Sequence, residues 1–221
     1  MLGSPLIVRD GLRGSLWGEA ADVRNGPYYY GGGMTIQPTG AWLKALAILA
    51  VPNGANGALS DFSAVVDRSY NVITYESLKI NTFTLRGSQG GILDLSLDLV
   101  GKTANTTGTV GDVTEGAPCI FSDCTLTIGN TAYEVMEIEL VIPNNLRTDR
   151  WANNLTLTDI APAGLVIPTL RTVLAYNANS AALWNTTATQ FNTNTLVIND
   201  STTTTTFTFG ALQAPREDPP L

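Results

Sequence analysis

The sequence predicts a mainly β domain, and three observations support that fold class. Residues 92–100 alternate apolar and polar side chains without a break, as a strand with one buried face does. Only 14% of the residues are charged, while glycine and proline number 21 and 11, which is typical of strands joined by turns. Because 221 residues fit one large β domain, residues 1–221 are interpreted as a single unit.

The segment 92–100 also predicts the two faces of one sheet. Successive side chains of a strand point to opposite faces, so every second residue here is a leucine facing a core: Leu93, Leu95, Leu97 and Leu99. The intervening Asp94, Ser96 and Asp98 face water, and this strand brings two acids and no base to that side. The pattern indicates a large sheet that presents a negative surface.

The first third of the chain predicts strands at 8–18 and 28–37 and then a helix. Three glycines at 31–33 indicate a bulge or a close backbone approach in the second strand. Thr39 is the expected N-cap of a helix over 41–49. Its spacing predicts that Trp42, Leu46 and Leu49 share one apolar face, with Leu43 beside them.

The middle third predicts strands over 62–66 and 70–85, followed by a hairpin into the leucine strand. Apolar parity changes near Asn81, which predicts a bulge or a corner between two sheets. Residues 101–117 lack periodicity and are rich in Gly, Thr and Asn, so a long flexible loop is expected there.

The last third predicts six more strands and a short helix. The expected strands are 124–128, 133–142, 151–160, 165–176, 196–198 and 202–209. In the second of them Glu134, Met136, Ile138 and Leu140 are predicted on one face, with Val135, Glu137, Glu139 and Val141 on the other. A helix over 181–187 with Ser180 as its cap and an extended tail over 210–221 complete the prediction.

Composition removes several functional classes. The chain has no histidine, which excludes Ser-His-Asp and Cys-His nucleophiles and histidine metal ligands, so no enzyme and no cofactor are expected. Cys119 and Cys124 have the spacing of neither a redox motif nor a zinc site, so reduced thiols or a local disulfide are expected.

A formal net charge of −7 disfavours nucleic-acid binding by phosphate neutralisation. No secretory signal or membrane span is recognisable, so folding in the cytoplasm without membrane contact is expected.

Individual motifs carry little chemistry. Gly101-Lys102-Thr103 lacks the earlier glycine and the following helix of a phosphate-binding loop. Arg13-Gly14-Ser15 and Arg86-Gly87-Ser88 are interpreted as turns. The acidic pairs Asp94/Asp98 and Glu137/Glu139 leave three readings open: a solvated sheet face, a carboxylate pair or calcium site, and a channel wall that repels phosphates.

Taken in order, several segments resemble a family of tailed-bacteriophage major tail tube proteins. Those segments lie within residues 11–185, and the Thr-rich region after Asn185 has no clear counterpart. They are Arg13-Gly14-Ser15, Gly26-Pro27, Gly32-Gly33-Met34-Thr35-Ile36-Gln37-Pro38-Thr39, Thr84-Leu85-Arg86-Gly87-Ser88-Gln89-Gly90-Gly91, Leu95-Ser96-Leu97-Asp98-Leu99-Val100-Gly101-Lys102-Thr103, Ile142-Pro143-Asn144-Asn145-Leu146 and Leu157-Thr158-Asp159-Ile160.

The resemblance implies a two-sheet β-sandwich or barrel with one flanking α-helix, assembled as stacked hexameric rings. Such a tube is a virion tail component that assembles in the host cytoplasm with a tape-measure protein and other tail proteins, and viral DNA passes through it without specific binding. On this basis Asp94, Asp98, Glu137 and Glu139 are expected to line the lumen. Ring-stacking contacts are expected at Asn53, Asn56, Lys102, Thr107 and Asp112.

Three alternatives stay open on sequence alone. The first is a tail terminator or connector ring protein, which would stop at one ring. The second is a carbohydrate-binding β-sandwich of a surface fibre, with aromatic side chains such as Trp151 and Trp184 beside polar loops. The third and weakest is an enzyme that uses paired carboxylates.

Overall fold

The computed structural model describes residues 6–8, 23–25, 28–52, 57–111, 116–152, 154–185 and 190–213. In these residues the chain is mainly β, as predicted, with two main antiparallel sheets, a short two-stranded ribbon and two helices. The described strands close no barrel, so of the two expected arrangements the sandwich is the one observed.

The large sheet has five strands in a row, in the order β11-β10-β5-β6-β3, and two short strands, β4 and β7, beside the first half of β5. Its bounds are β3 Tyr30–Ile36, β4 Phe62–Asp67, β5 Val72–Ser88, β6 Asp94–Gly101, β7 Thr103–Asn105, β10 Val135–Pro143 and β11 Thr169–Leu174. All of its pairings are antiparallel.

The small sheet has the order β13-β12-β8-β9. Its bounds are β8 Cys124–Ile128, β9 Thr131–Tyr133, β12 Gln190–Asn199 and β13 Thr204–Gln213. A separate ribbon pairs β1 Leu6–Val8 with β2 Val23–Asn25. The helices are α1 Gly40–Ala50 and α2 Ala178–Asn185.

The core lies between the large sheet, the small sheet and α1. Alternate residues of β5, β6 and β10 meet Leu126 of β8, Leu196 of β12 and Phe207 of β13. Each such side chain contributes roughly 1.5–3 kcal/mol when it is fully buried. The predicted apolar side of β6 is confirmed, because Leu93, Leu95 and Leu97 are buried and Leu99 is partly buried against the same core.

A bulge in β5 reverses the alternation of that strand. Before Asn81 the buried residues are the even-numbered Leu78 and Ile80, and after it they are the odd-numbered Phe83 and Leu85. The pairing with β6 shifts register between Ile80 and Thr82. The bulge predicted near Asn81 is therefore confirmed.

Helix α1 begins after the predicted N-cap, and most of its predicted apolar face packs against the core. The Thr39 hydroxyl accepts a hydrogen bond from the Trp42 amide at 3.4 Å. Leu43, Leu46, Ala47 and Ala50 are buried, whereas Trp42 is 50% exposed. Trp42 is the exception on the predicted face, because it lies at the margin of this buried stripe.

Two other face assignments or boundaries differ from expectation. In β10 a register shift between Val135 and Glu137 puts Val135 on the core and leaves Met136 exposed, opposite to the prediction. Helix α2 begins earlier than expected, and the Asn177 side chain, rather than Ser180, accepts the amides of its first turn.

The described residues of 151–160, all but residue 153, form no strand, contrary to the prediction. They lie as an irregular strap on the side of the large sheet away from the main core, where Leu157, Ile160 and Val100 form a small second cluster with Leu146 and Trp151. The ammonium groups of Lys79 and Lys102 donate to strap carbonyls, those of Ile160 at 2.8 Å and Thr158 at 3.0 Å. These bonds satisfy strap carbonyls that a strand would have paired in a ladder.

The predicted loop and tail are shorter than expected in the described residues. Residues 101–105 continue β6 and form β7, so irregular structure starts only after Asn105. At the other end β13 extends to Gln213, which puts 210–213 of the predicted tail in a strand. Residues 112–115 and 214–221 lie outside the described residues.

Candidate functional site

The side of the large sheet away from the main core is a broad polar face. Cross-strand pairing defines its rows, since residues directly opposite each other project on the same side. One row reads Thr169, Val141, Thr84, Ser96 and Thr35 from β11 to β3. The strap covers one end of this face. Beyond the strap, the β5 side chains between Thr82 and Ser88 that point away from the core are half-buried or exposed.

A row of alternating charge crosses four strands of this face. Arg171 of β11 lies opposite Glu139 of β10, Glu139 lies opposite Arg86 of β5, and Arg86 lies opposite Asp94 of β6. We call this row the charge ladder. Opposite charges placed directly across strands stabilise a sheet by about 0.2–1 kcal/mol per pair.

The central pair of the charge ladder makes direct contact. The Arg86 Nε donates to Glu139 Oε1 at 2.7 Å, and the Nη2 of the same guanidinium contacts that oxygen as well. Side-chain exposure is 65% for Arg86 and 27% for Glu139, so water screens the attraction. The pair thus orders two side chains on the face but adds little to stability.

The four predicted lumen residues all lie on this face and are exposed or half-buried. Asp94 and Glu139 come together on either side of Arg86, within the charge ladder. Glu137 lies one row further along β10, opposite Ser88, while Asp98 lies two rows from Asp94, opposite Thr82. None of these acids is packed between the two sheets.

Comparison with protein families identifies the family of a chain that builds such a sheet. A family described as phage tail tube protein matches residues 4–221, almost the whole chain. The chain belongs to the phage tail tube protein family. Its role is therefore structural rather than enzymatic, as a component of the virion tail that assembles with other tail subunits. The match includes the Thr-rich region after Asn185, for which the sequence offered no counterpart. No curated protein matches the chain.

Two of the five predicted stacking residues of this tail tube protein, Lys102 and Thr107, lie within the described residues. Asn53, Asn56 and Asp112 lie outside the described residues. The Lys102 ammonium is bonded to the strap, so its charge is already engaged within the subunit. Thr107 is exposed, and its amide and hydroxyl both bond the Asn105 side chain in a tight turn.

Sequence reasoning missed the two arginines of the polar face. Arg86 was interpreted as part of a turn, yet Arg86-Gly87-Ser88 lies within β5. A Cβ at Gly87 would collide with Leu93, so this glycine permits close packing and is not a turn residue. The available signal was parity, because Arg86 shares the polar phase of Thr82 and Thr84.

The described residues provide little reactive chemistry. They contain no group of acidic or cysteine side chains arranged to hold a metal ion. Burial, together with the charges of Asp200 and Asp123, raises the pKa of Cys119 to about 11. Burial and the neighbouring Asp123 raise the pKa of Cys124 to about 12, so both thiols are poor nucleophiles. Neither α1 nor α2 combines the length and apolar character needed to cross a bilayer.

Proposed function

We propose that this protein is the major tail tube subunit, whose copies close into hexameric rings that stack into a hollow conduit for genome ejection. The observation that carries the proposal is the polar face, on which four acids and two arginines accompany a row of Thr and Ser while the opposite face forms the core. A ring size of six is what the family resemblance implies.

In this proposal the polar face lines the lumen. Asp94, Asp98, Glu137 and Glu139 outnumber Arg86 and Arg171, so the wall repels phosphates and DNA slides without adhering. Charge is felt only within a Debye length of about 8 Å at physiological salt. The Thr-rich middle rows offer no arginine or lysine to hold a phosphate.

The ring contacts use the two edges of the large sheet. β3 and β11 end its five-strand row, and neither has a second neighbour among the described strands. Exposed strand edges template pairing with another chain, and a head-to-tail contact that closes generates a ring. Tape-measure protein and other tail proteins would bind the completed assembly.

Ring-to-ring contacts are assigned to the arm formed by β4, β7 and the first half of β5. Its tip residue Tyr70 is fully exposed, and Val65 and Val66 are also exposed. The loop that carries Thr107 packs beside this arm, since a Cβ at Gly108 would meet Thr74, Val65 and Val72. An arm that exposes apolar side chains in this way suits a contact with a second ring.

Electron microscopy of the purified protein across a concentration series tests the proposal. We expect hollow tubes or stacked rings to form as concentration rises. Single rings that never stack would favour the tail terminator alternative, and subunits that stay monomeric at the highest concentration would contradict the proposal.

Labelling then tests which face is inside. Asp94→Cys should react with a bulky maleimide polymer in free subunits and be protected in tubes, with Lys44→Cys on the exposed side of α1 as the control. The native thiols should react slowly, because Cys119 is buried and burial raises the pKa values of Cys119 and Cys124 to about 11 and about 12. Equal labelling of Asp94→Cys in both states would place the polar face outside.

A further inference from the structure

The edge strand β3 contains two glycines, Gly32 and Gly33, that the described part of its own subunit does not require. Among the described residues, a Cβ at Gly32 would meet nothing within 4 Å, and a Cβ at Gly33 only the Leu97 carbonyl oxygen at 3.6 Å, an ordinary contact. Neither residue has a positive φ. Side chains would therefore fit beside the described residues at both positions, so packing against those residues and backbone conformation do not explain the glycines.

On the polar face the missing side chain leaves a shallow trough that leads to Asp98. Gly33 lies directly opposite Asp98 in the β3–β6 pairing. The trough is lined by Gly33, Met34, Thr35, Thr82, Thr84, Ser96, Leu97 and Asp98, of which only Asp98 is ionisable. Asp98 Oδ2 accepts a hydrogen bond from Asn81 Nδ2 at 2.7 Å, while Oδ1 has no partner among the described residues.

The opposite edge of the same face carries an exposed cation. Arg171 projects from β11 at the end of the charge ladder, and it lies within ion-pair distance of no acid among the described residues. The large sheet thus has a positive side chain at one edge and an accessible carboxylate beside the other.

Strand direction makes the two edges compatible in a ring. Neighbours in the row β11-β10-β5-β6-β3 are all antiparallel, so β11 and β3 run in the same direction. Rotation about a ring axis keeps the sense of each strand relative to that axis. β11 of one copy can therefore lie parallel to β3 of the next. Two strand spacings amount to about 10 Å, and a long arginine crossing above Gly33 can cover that distance to Asp98.

We propose that each copy seats its Arg171 in the trough above Gly33 of the next copy and pairs the guanidinium with Asp98. This inference rests on the proposed function, since it specifies one contact of the ring. Arginine suits the site because its planar fork binds a carboxylate through two donors. The contact is head-to-tail, so every subunit both gives and receives one arginine.

Charge reversal tests the pairing. Arg171→Glu and Asp98→Arg should each raise the concentration needed for ring or tube formation by about tenfold or more, as the loss of a close interfacial charge pair does. The double variant should return that concentration to within about threefold of the wild type. The matched controls are Lys44→Glu on α1 and Glu137→Arg on β10, which change charge equally without altering either member of the pair and should assemble normally.

A steric variant covers the possibility that Asp98→Arg disturbs the bulge at Asn81. Gly33→Val fills the trough while leaving the Asp98–Asn81 hydrogen bond intact, so the subunit should fold with undiminished thermal stability and fail to assemble. Gly32→Val is the matched control, because its side chain points to the opposite face of the same strand.

The outcomes separate this inference from the proposed function. Wild-type tubes together with normal assembly of Arg171→Glu and Gly33→Val would overturn the pairing and leave the tube function standing. Defective single variants without recovery in the double variant would also overturn it. A wild type that forms neither rings nor tubes would remove the proposed function, and this contact with it.

Discussion

The two faces of the large sheet differ in what determines them, although the same strands build both. In β5, Phe83 and Leu85 point into the core, and Thr82, Thr84 and Arg86 point to the polar face. The core face depends on volume and closeness of packing. The polar face depends on which strands lie side by side, because its charges meet across strand pairs. Stability should therefore depend more on the core face than on the polar face.

The largest expected effect comes from neighbouring truncations in β5. Phe83→Ala removes a fully buried ring that lies 6.1 Å, centroid to centroid, from Phe207, and should cost about 3–5 kcal/mol of unfolding free energy. Thr84→Ala, one residue later on the polar face, should cost less than about 1 kcal/mol. Urea unfolding of monomeric protein, followed by circular dichroism, measures both. Equal losses would mean that the polar face is as tightly packed as the core.

A buried amide at the margin of the two faces should give the next largest effect. Asn144 follows β10 and is fully buried, and its Nδ2 donates to the Ala50 and Ile80 carbonyls, both at 2.9 Å. It therefore ties the end of α1 to the bulged part of β5. Asn144→Ala removes the donor to both carbonyls, and should cost about 1–3 kcal/mol of unfolding free energy in total.

The same unfolding assay checks this prediction, with the exposed Asn71→Ala as control. The second variant, Asn144→Asp, keeps the shape but replaces donors with acceptors, so it should be at least as harmful as Asn144→Ala. A loss below about 0.5 kcal/mol in both Asn144 variants would contradict the role given to these hydrogen bonds.

Local pattern was sufficient for the core face. Alternation predicted the buried leucines of β6, and the change of parity predicted the bulge at Asn81, because both are properties of one continuous strand. Local pattern was insufficient for Met136 and Trp42. A register shift in β10 turns Met136 to the exposed face, and Trp42 lies at the exposed margin of the buried stripe of α1. Residue spacing shows neither effect.

Pairing between distant segments was beyond the sequence. Arg86 and Glu139 are 53 residues apart, and Arg171 enters the same row from a third segment, so the charge ladder exists only once strand order and register are known. The strap over 151–160 was read as a strand for a similar reason. Its buried Leu157 and Ile160 look like strand positions, but they pack onto the sheet without joining it.

The smallest expected effect concerns the charge ladder, where position within the row should decide the result. Glu139 lies between Arg86 and Arg171, whereas Asp94 ends the row beside Arg86 alone. Glu139→Gln should cost about 0.5–1 kcal/mol, and Asp94→Asn less than half of that. Both losses should shrink in high salt, because exposed pairs are screened.

A double-mutant cycle on Arg86→Met and Glu139→Gln isolates the central pair, and its coupling energy should lie between about 0.2 and 1 kcal/mol. A coupling above about 2 kcal/mol would mean that the pair is effectively desolvated. Equal losses for Glu139→Gln and Asp94→Asn would mean that the ladder acts as isolated charges. The expected inequality follows from the direct Arg86–Glu139 contact together with strand order, since Glu139 has an arginine opposite it on both neighbouring strands and Asp94 has one.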